Sequence, residues 1–225
     1  INRPGGMIFL APFENYSGRT LATISVSWPH HPISKLFQPY MENCVRIPNA
    51  YCFRCPMGLS YPKCGIACAE YVKTMLERGT EPVYALIMEP MQASGGMIDF
   101  PKGYLKRIRE ICDEFGVLLI FDEIQTGFGR LGRMFASELY DVYPDFLTFG
   151  KAIAGGYPLA GVMMRDDLQL PAAASDSYTF AHFPVSFAAA CATLDVLVEE
   201  KLPQRAAKTG AYITKRLKAL QKKYE

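Results

Sequence analysis

An aspartate, Asp122, ends the apolar run Val117-Leu118-Leu119-Ile120-Phe121, and a lysine, Lys151, follows a second apolar run, Phe146-Leu147-Thr148-Phe149-Gly150. An acid and a primary amine at the carboxyl ends of two buried strands suit the chemistry of pyridoxal phosphate. The amine can form a Schiff base with the cofactor aldehyde. The carboxylate can keep the pyridine nitrogen protonated, so that the ring acts as an electron sink. Taken alone, Asp122 reads equally well as an ordinary strand-terminal acid, and Lys151 reads better as an exposed loop lysine. Their flanks join them. Glu123-Ile124-Gln125-Thr126-Gly127-Phe128-Gly129-Arg130 follows the acid and Ala152-Ile153-Ala154-Gly155-Gly156-Tyr157-Pro158 follows the lysine, both with glycines where close approach is needed.

A rival reading starts from the same strand. An apolar run closed by Asp-Glu also resembles the magnesium-binding strand of nucleotide triphosphatases. That reading requires a Gly-x-x-x-x-Gly-Lys-Ser/Thr loop, which these residues do not contain, and it leaves the glycine-rich segment after Lys151 without a role.

The elements that must position these groups alternate in type. Met7–Ala11, Val83–Met88, Val117–Asp122, Phe146–Phe149 and Gly161–Met164 read as strands. Gly65–Arg78 and Lys102–Phe115 read as helices; in the second, Tyr104, Leu105, Ile108, Ile111 and Cys112 repeat at helical spacing. Asp99-Phe100-Pro101 supplies its start signal and Gly116 its stop. Such alternation predicts an α/β fold with a mostly parallel sheet covered by helices, and ligands bind such sheets beyond the carboxyl ends of the strands. After Tyr178 the pattern is helical only, Val185–Glu200 and then Gln204–Tyr224. The chain is accordingly divided into residues 1–174, a large domain, and residues 175–225, an interdomain helix and the opening of a smaller domain, with the change at 170–178. Lacking an initiator methionine, it reads as an internal segment of a longer protein.

Half of the residues are hydrophobic, 20% are charged and the net charge is +2, which argues against disorder, a nucleic-acid footprint or a basic membrane anchor. No apolar run reaches the roughly 20 residues that span a bilayer. Seven cysteines without a secretory leader favour a reducing compartment, and a cytoplasmic location is expected.

The run Phe121-Asp122-Glu123-Ile124-Gln125-Thr126-Gly127-Phe128-Gly129-Arg130-Leu131-Gly132 resembles the signature of class III pyridoxal-phosphate aminotransferases of fold type I. The likeness continues through Pro144–Lys151 and Gly155–Ala160, and includes Tyr16–Leu21, Glu89-Pro90-Met91-Gln92 and Tyr178-Thr179-Phe180 in the same order. It implies the large domain of a fold-type I transferase, with pyridoxal 5'-phosphate as cofactor and a small-molecule amino donor and keto acceptor as substrates. By the same resemblance, Lys151 carries the cofactor and moves a proton, Asp122 pairs with the pyridine nitrogen and Gln125 bonds the phenolic oxygen. Tyr16 stacks on the ring, and Thr179 reaches the phosphate of a neighbouring subunit, which implies a homodimer or larger homo-oligomer. For its amine to act as a base, Lys151 is expected to be buried beside positive charge.

Departures from the family pattern bear on the substrate. Ser17 stands where a histidine is usual, and Ser94 where many ω-aminotransferases carry a glutamate. The segment Gln92–Asp99 is closer to dialkylglycine decarboxylase and some amino-acid racemases, with Gln92 and Ser94 on the substrate side. Transamination leads; decarboxylation or racemisation on the same cofactor, or an inactive fragment, are the alternatives.

Other candidates carry less. Cys52, Cys55, Cys64 and Cys68 approach zinc-ligand spacing, but a surface segment with free thiols is the preferred reading, with a four-thiolate site as its alternative. Cys112 and Cys191 are expected on apolar helix faces. His30, His31 and His182 show no metal spacing and read as solvated or capping groups, and the basic run Lys215–Lys223 as a solvated helix face.

Overall fold

The computed structural model describes residues 8–27, 41–79, 82–168 and 179–224. The two expected histidines His30 and His31 lie outside the described residues, as does the expected domain boundary at 170–178.

The elements follow in the order β1 (Ile8–Pro12), α1 (Leu21–Val26), β2 (Cys44–Ile47), α2 (Ala67–Arg78), β3 (Val83–Met88), α3 (Tyr104–Phe115), β4 (Leu118–Asp122), α4 (Ala136–Tyr140), β5 (Phe146–Phe149), β6 (Gly161–Met164), α5 (Pro184–Glu199) and α6 (Leu202–Tyr224). The strands form one six-stranded sheet in the order β2-β1-β3-β4-β5-β6. The pairs from β2 through β5 are parallel, and β6 is antiparallel to β5. From β1 the chain moves outward to β2 on one side, then returns to place β3 on the other. Strand order therefore reverses between β1 and β3, the kind of crevice where open sheets of this type bind ligands.

The core is built on the face covered by α2 and α3. Tyr104, Leu105, Ile108, Ile111 and Cys112 of α3 are all buried against Leu86 and Met88 of β3 and Leu119 and Phe121 of β4. Each isoleucine or leucine so buried contributes about 1.5–3 kcal/mol. At Gly116 the helix stops, with φ of 60°, a left-handed backbone that glycine adopts without a Cβ clash. Its amide donates to Asp113 and Cys112, and the Val117 amide to the Cys112 carbonyl at 2.8 Å, so the turn feeds directly into β4.

A second cluster lies under α5. Ala190 and Leu197 pack with Phe128, which follows β4, and with Ile153 and Ala154 of the 3-10 turn that opens at Lys151. The glycines after β4 meet α6: a Cβ on Gly132 would lie 2.7 Å from the Ala207 Cβ, and one on Gly129 would lie 3.1 Å from Pro203. Close approach is therefore required there by a helix of the same chain. Cys191 on α5 is exposed, at odds with a packing role, and Cys112 on α3 is buried. Among the described residues no helix is long and apolar enough to cross a membrane.

Candidate active site

Because β1, β3, β4 and β5 run parallel, the residues that follow them gather along one edge of the sheet: Asn15, Tyr16 and Ser17 after β1, Glu89 after β3, Asp122 at the end of β4 and Lys151 after β5. Asp122 lies opposite Thr148 in the register of β4 and β5.

Asp122 is buried, at 4% exposure. Its Oδ1 accepts the Ile124 amide at 3.1 Å. Burial raises its carboxyl above the ordinary value, opposed by that amide, the hydroxyls of Ser17 and Thr148 and the charge of Lys151. The Thr148 hydroxyl is close enough to favour the carboxylate, yet its buried oxygen forms no well-aligned hydrogen bond. Among the described residues no cation forms an ion pair with Asp122. A desolvated carboxylate of this kind is ready to take a positively charged or proton-bearing partner.

Lys151 is exposed in the single chain, and the charges that feel it are the carboxylates of Asp122 and Glu89. The expected burial beside positive charge is thus corrected. A 3-10 turn carries the lysine out beyond the sheet edge, and the acids belong to the neighbouring parallel strands that end there. Its backbone is unusual: φ is 45°, a left-handed conformation for a residue with a Cβ, of the sort that costs about 1–3 kcal/mol and clusters at functional positions.

Several supporting residues were not singled out from sequence. Glu123, fully buried, accepts the amides of Ala136 and Ser137 at 2.6 and 2.8 Å and the Thr126 hydroxyl at 2.9 Å. It thereby caps α4 and fixes the loop carrying Gln125, which is half-buried. Glu89 is equally buried. Its two oxygens accept the amides of Tyr16 and Ala93, and burial pushes its carboxyl up to about 7, against those amides. Asn15 bridges Glu89 and Ser17. A buried acid in the motif Glu89-Pro90 and another directly after Asp122 are the signals that could have found them.

The remaining expected residues fall as follows. Tyr16 is half-buried on the loop after β1, while Thr179 and Ser94 are exposed. Gln92 is fully buried; its Nε2 donates to the Phe13 carbonyl and its Oε1 accepts from Asn49, both at 2.8 Å. This amide has a scaffold duty, joining Phe13 and Asn49. The four clustered cysteines line one small pocket with Met57 and Leu59, and their thiols are free. Burial raises the Cys68 thiol to about 11, and burial also raises the Cys52 thiol above its ordinary value. Among the described residues, no group of three or more histidine, cysteine or acidic side chains is arranged to hold a metal.

Residues 7–225 match the family described as Aminotransferase class-III. The chain belongs to the class III aminotransferases. Over 210 residues it is 39% identical to an acetylornithine aminotransferase of Methanothermobacter thermautotrophicus, covering 93% of this chain and 48% of the relative. It is 35% identical to a leucine/methionine racemase of Thermococcus litoralis, covering 96% and 49%. Among solved structures, an (S)-enantioselective omega-transaminase from Thermomicrobium roseum superposes with a TM-score of 0.84 at 32% identity, covering 96% of this chain and 49% of that one. The chain thus spans about half the length of the curated relatives it matches. Its mostly parallel sheet with flanking helices is the fold of this family's large domain, and the family works with pyridoxal 5'-phosphate.

The residues present fit that cofactor. A buried acid with no ion pair among the described residues suits a pyridinium nitrogen, and a lysine just beyond the adjacent strand suits an aldehyde carbon. Gln125 and Tyr16 lie half-buried on the neighbouring loops.

Proposed function

We propose that the intact protein is a pyridoxal-phosphate-dependent aminotransferase, moving an amino group from an amino acid or amine to a keto acid or aldehyde. The observation that carries this reading is Asp122, buried at the end of β4 with no ion pair among the described residues, on the strand next to the one that delivers Lys151. When bound, the cofactor supplies an aldehyde for amines and a ring that withdraws electrons from the bonds of the substrate α-carbon.

The chain's own residues then have defined duties. Asp122 holds a proton on the ring nitrogen, and this partner relieves the cost of burying its charge. Lys151 Nζ would anchor the aldehyde carbon and would move a proton at the substrate α-carbon. Gln125 would donate to the phenolic oxygen and Tyr16 would cover one ring face. Thr179, exposed here, serves the cofactor phosphate of a second subunit, so the working form is a homodimer or larger homo-oligomer. Residues 1–174 form the cofactor domain and 175–225 begin the second. Ser94 lies on the substrate side. A cytoplasmic location fits free thiols at all seven cysteines.

A racemase reading is favoured by one observation, the 35% identity to the leucine/methionine racemase. The deciding experiment gives the full-length protein an amino donor and no keto acceptor. Conversion of the cofactor to its pyridoxamine form, with release of the keto product, is expected. Loss of optical activity in the donor without that conversion overturns transamination in favour of racemisation, and release of carbon dioxide in favour of decarboxylation.

A further inference from the structure

Residues 15–18, which carry Tyr16 and Ser17, belong to no helix or strand, so their polar groups must be satisfied by side chains or neighbouring loops. Glu89 meets this need twice over. Its backbone amide donates to Asn15 Oδ1 at 3.1 Å, and its Oε1 accepts the Tyr16 amide at 3.0 Å. Two consecutive residues of the β1 loop are thus pinned by one residue of the β3 loop, across the crevice where strand order reverses. Asn15 Nδ2 continues the connection to Ser17 Oγ and to the Val26 carbonyl, each at 3.1 Å, and the Ser17 amide donates to Ser27 Oγ at 2.8 Å. The Ser17 hydroxyl in turn favours the charged form of Asp122.

The other oxygen of Glu89 holds a second loop. Its Oε2 accepts the Ala93 amide at 3.1 Å, at the start of Ala93-Ser94-Gly95-Gly96. The two loops touch, since a Cβ on Gly95 would lie 2.3 Å from the Glu14 carbonyl oxygen. Asn15 and Glu89 are both sealed from solvent, and neither is in a position to hold a substrate itself.

We propose that Asn15 and Glu89 are positioning residues, which hold Tyr16 over the ring and set Ser17 against Asp122 while fixing the Ser94 loop on the substrate side. This rests on the pyridoxal phosphate reading above. The hydrogen bonds run from Glu89 through Asn15 to the Ser17 hydroxyl, which favours the charged form of Asp122. A displacement of the loop by a fraction of an ångström is enough to misplace the ring-facing groups.

The test uses the full-length protein and the substitutions Asn15→Asp, Glu89→Gln and Ser17→Ala. The last cuts the link to Asp122 while leaving both buried side chains in place, and keeps the test open if either of the others fails to fold. Two readouts are taken: amide hydrogen exchange of peptides covering residues 15–18 and 91–95 without added cofactor, and the affinity and pH midpoint of the visible absorption of bound pyridoxal phosphate. Glu89→Gln is expected to speed exchange in both segments, and Asn15→Asp in the first. Each is expected to weaken cofactor affinity by about tenfold or more and to move the absorption midpoint. Ser17→Ala is expected to move the midpoint with little change in exchange at 91–95. Wild-type exchange in folded variants overturns the clamp. Faster exchange with wild-type affinity and midpoint reduces it to fold maintenance and overturns the positioning role. If the wild-type protein takes up no pyridoxal phosphate, the functional reading fails, while the exchange measurement still decides whether the clamp exists.

Discussion

Two aspartates at opposite ends of the same pair of strands have the same burial and opposite surroundings. Asp145, 2% exposed at the entry to β5, accepts the Leu119 amide at 2.7 Å and Arg109 Nη1 at 2.8 Å, and is bonded on its other oxygen by Arg165. Asp122, 4% exposed at the exit of β4, accepts the Ile124 amide and has no ion pair among the described residues. The first carboxylate is neutralised within the fold; the second is left wanting a cation. Burial alone therefore does not mark a functional acid. What marks it is the absence of internal neutralisation at the end of the sheet where ligands sit.

Substitutions at the two ends should separate cleanly. The largest effect is expected at the partner of the uncancelled acid: Lys151→Ala should lower kcat by at least about a thousandfold, and borohydride should no longer fix the cofactor to the peptide containing residue 151. Next, Asp122→Asn should retain the cofactor while lowering kcat by about a hundredfold to a thousandfold. Its melting temperature should be equal or higher, because a desolvated charge has been removed. A large drop in melting temperature at Asp122→Asn would make the two aspartates alike and dissolve the contrast.

Asp145→Asn should do the reverse. It leaves Arg109 and Arg165 without their shared anion at a cost of about 3 kcal/mol in denaturant unfolding, held to the low end because Arg165 is half exposed. Activity per folded molecule should not change. The smallest effect concerns Glu89, whose carboxyl is pushed by burial from 4.5 to about 7. The folded state then binds this proton more tightly than the unfolded chain. The associated stability is full below about pH 4.5 and is lost as pH rises through about 7, by at most about 3 kcal/mol. Asp122 and Lys151 face the same group, the first adding to its rise and the second opposing it. Melting of the cofactor-free protein across that interval should flatten in Glu89→Gln; an unchanged slope would show that another group titrates there.

The sequence made the central strands and helices legible because their cause is local. Val83–Met88, Phe146–Phe149 and Gly161–Met164 are observed with the expected bounds, and α3 differs from expectation only by its first two residues. Apolar runs between glycines leave little choice of element. Cys44–Ile47, Leu21–Val26 and Ala136–Tyr140 were not anticipated. The first has an arginine in a short strand, and the other two are single short turns whose stability comes from tertiary partners such as Glu123. The site divides in the same way. Asp122 and Lys151 stood out because strand ends predict where side chains emerge. Asn15 and Glu89 did not, since their roles depend on hydrogen bonds between loops far apart in sequence. The exposure of Lys151 matches the reading of the lysine alone and departs from the burial its expected role as a base implied; the residue is left-handed at the start of a 3-10 turn.

The contact between the glycine loop and α6 has a mechanical consequence. Gly129 and Gly132 leave the start of the long helix no clearance, with Pro203 and Ala207 seated where their side chains would be. The same loop begins at Asp122 and passes through Gln125. The helix cannot roll or slide at its first turns without pushing that loop, so the two act as a lever and its bearing. A bulkier residue at 132 would transmit its displacement along the loop toward Gln125, and a movement of the helical region would be felt at the cofactor ring before any side chain there had changed.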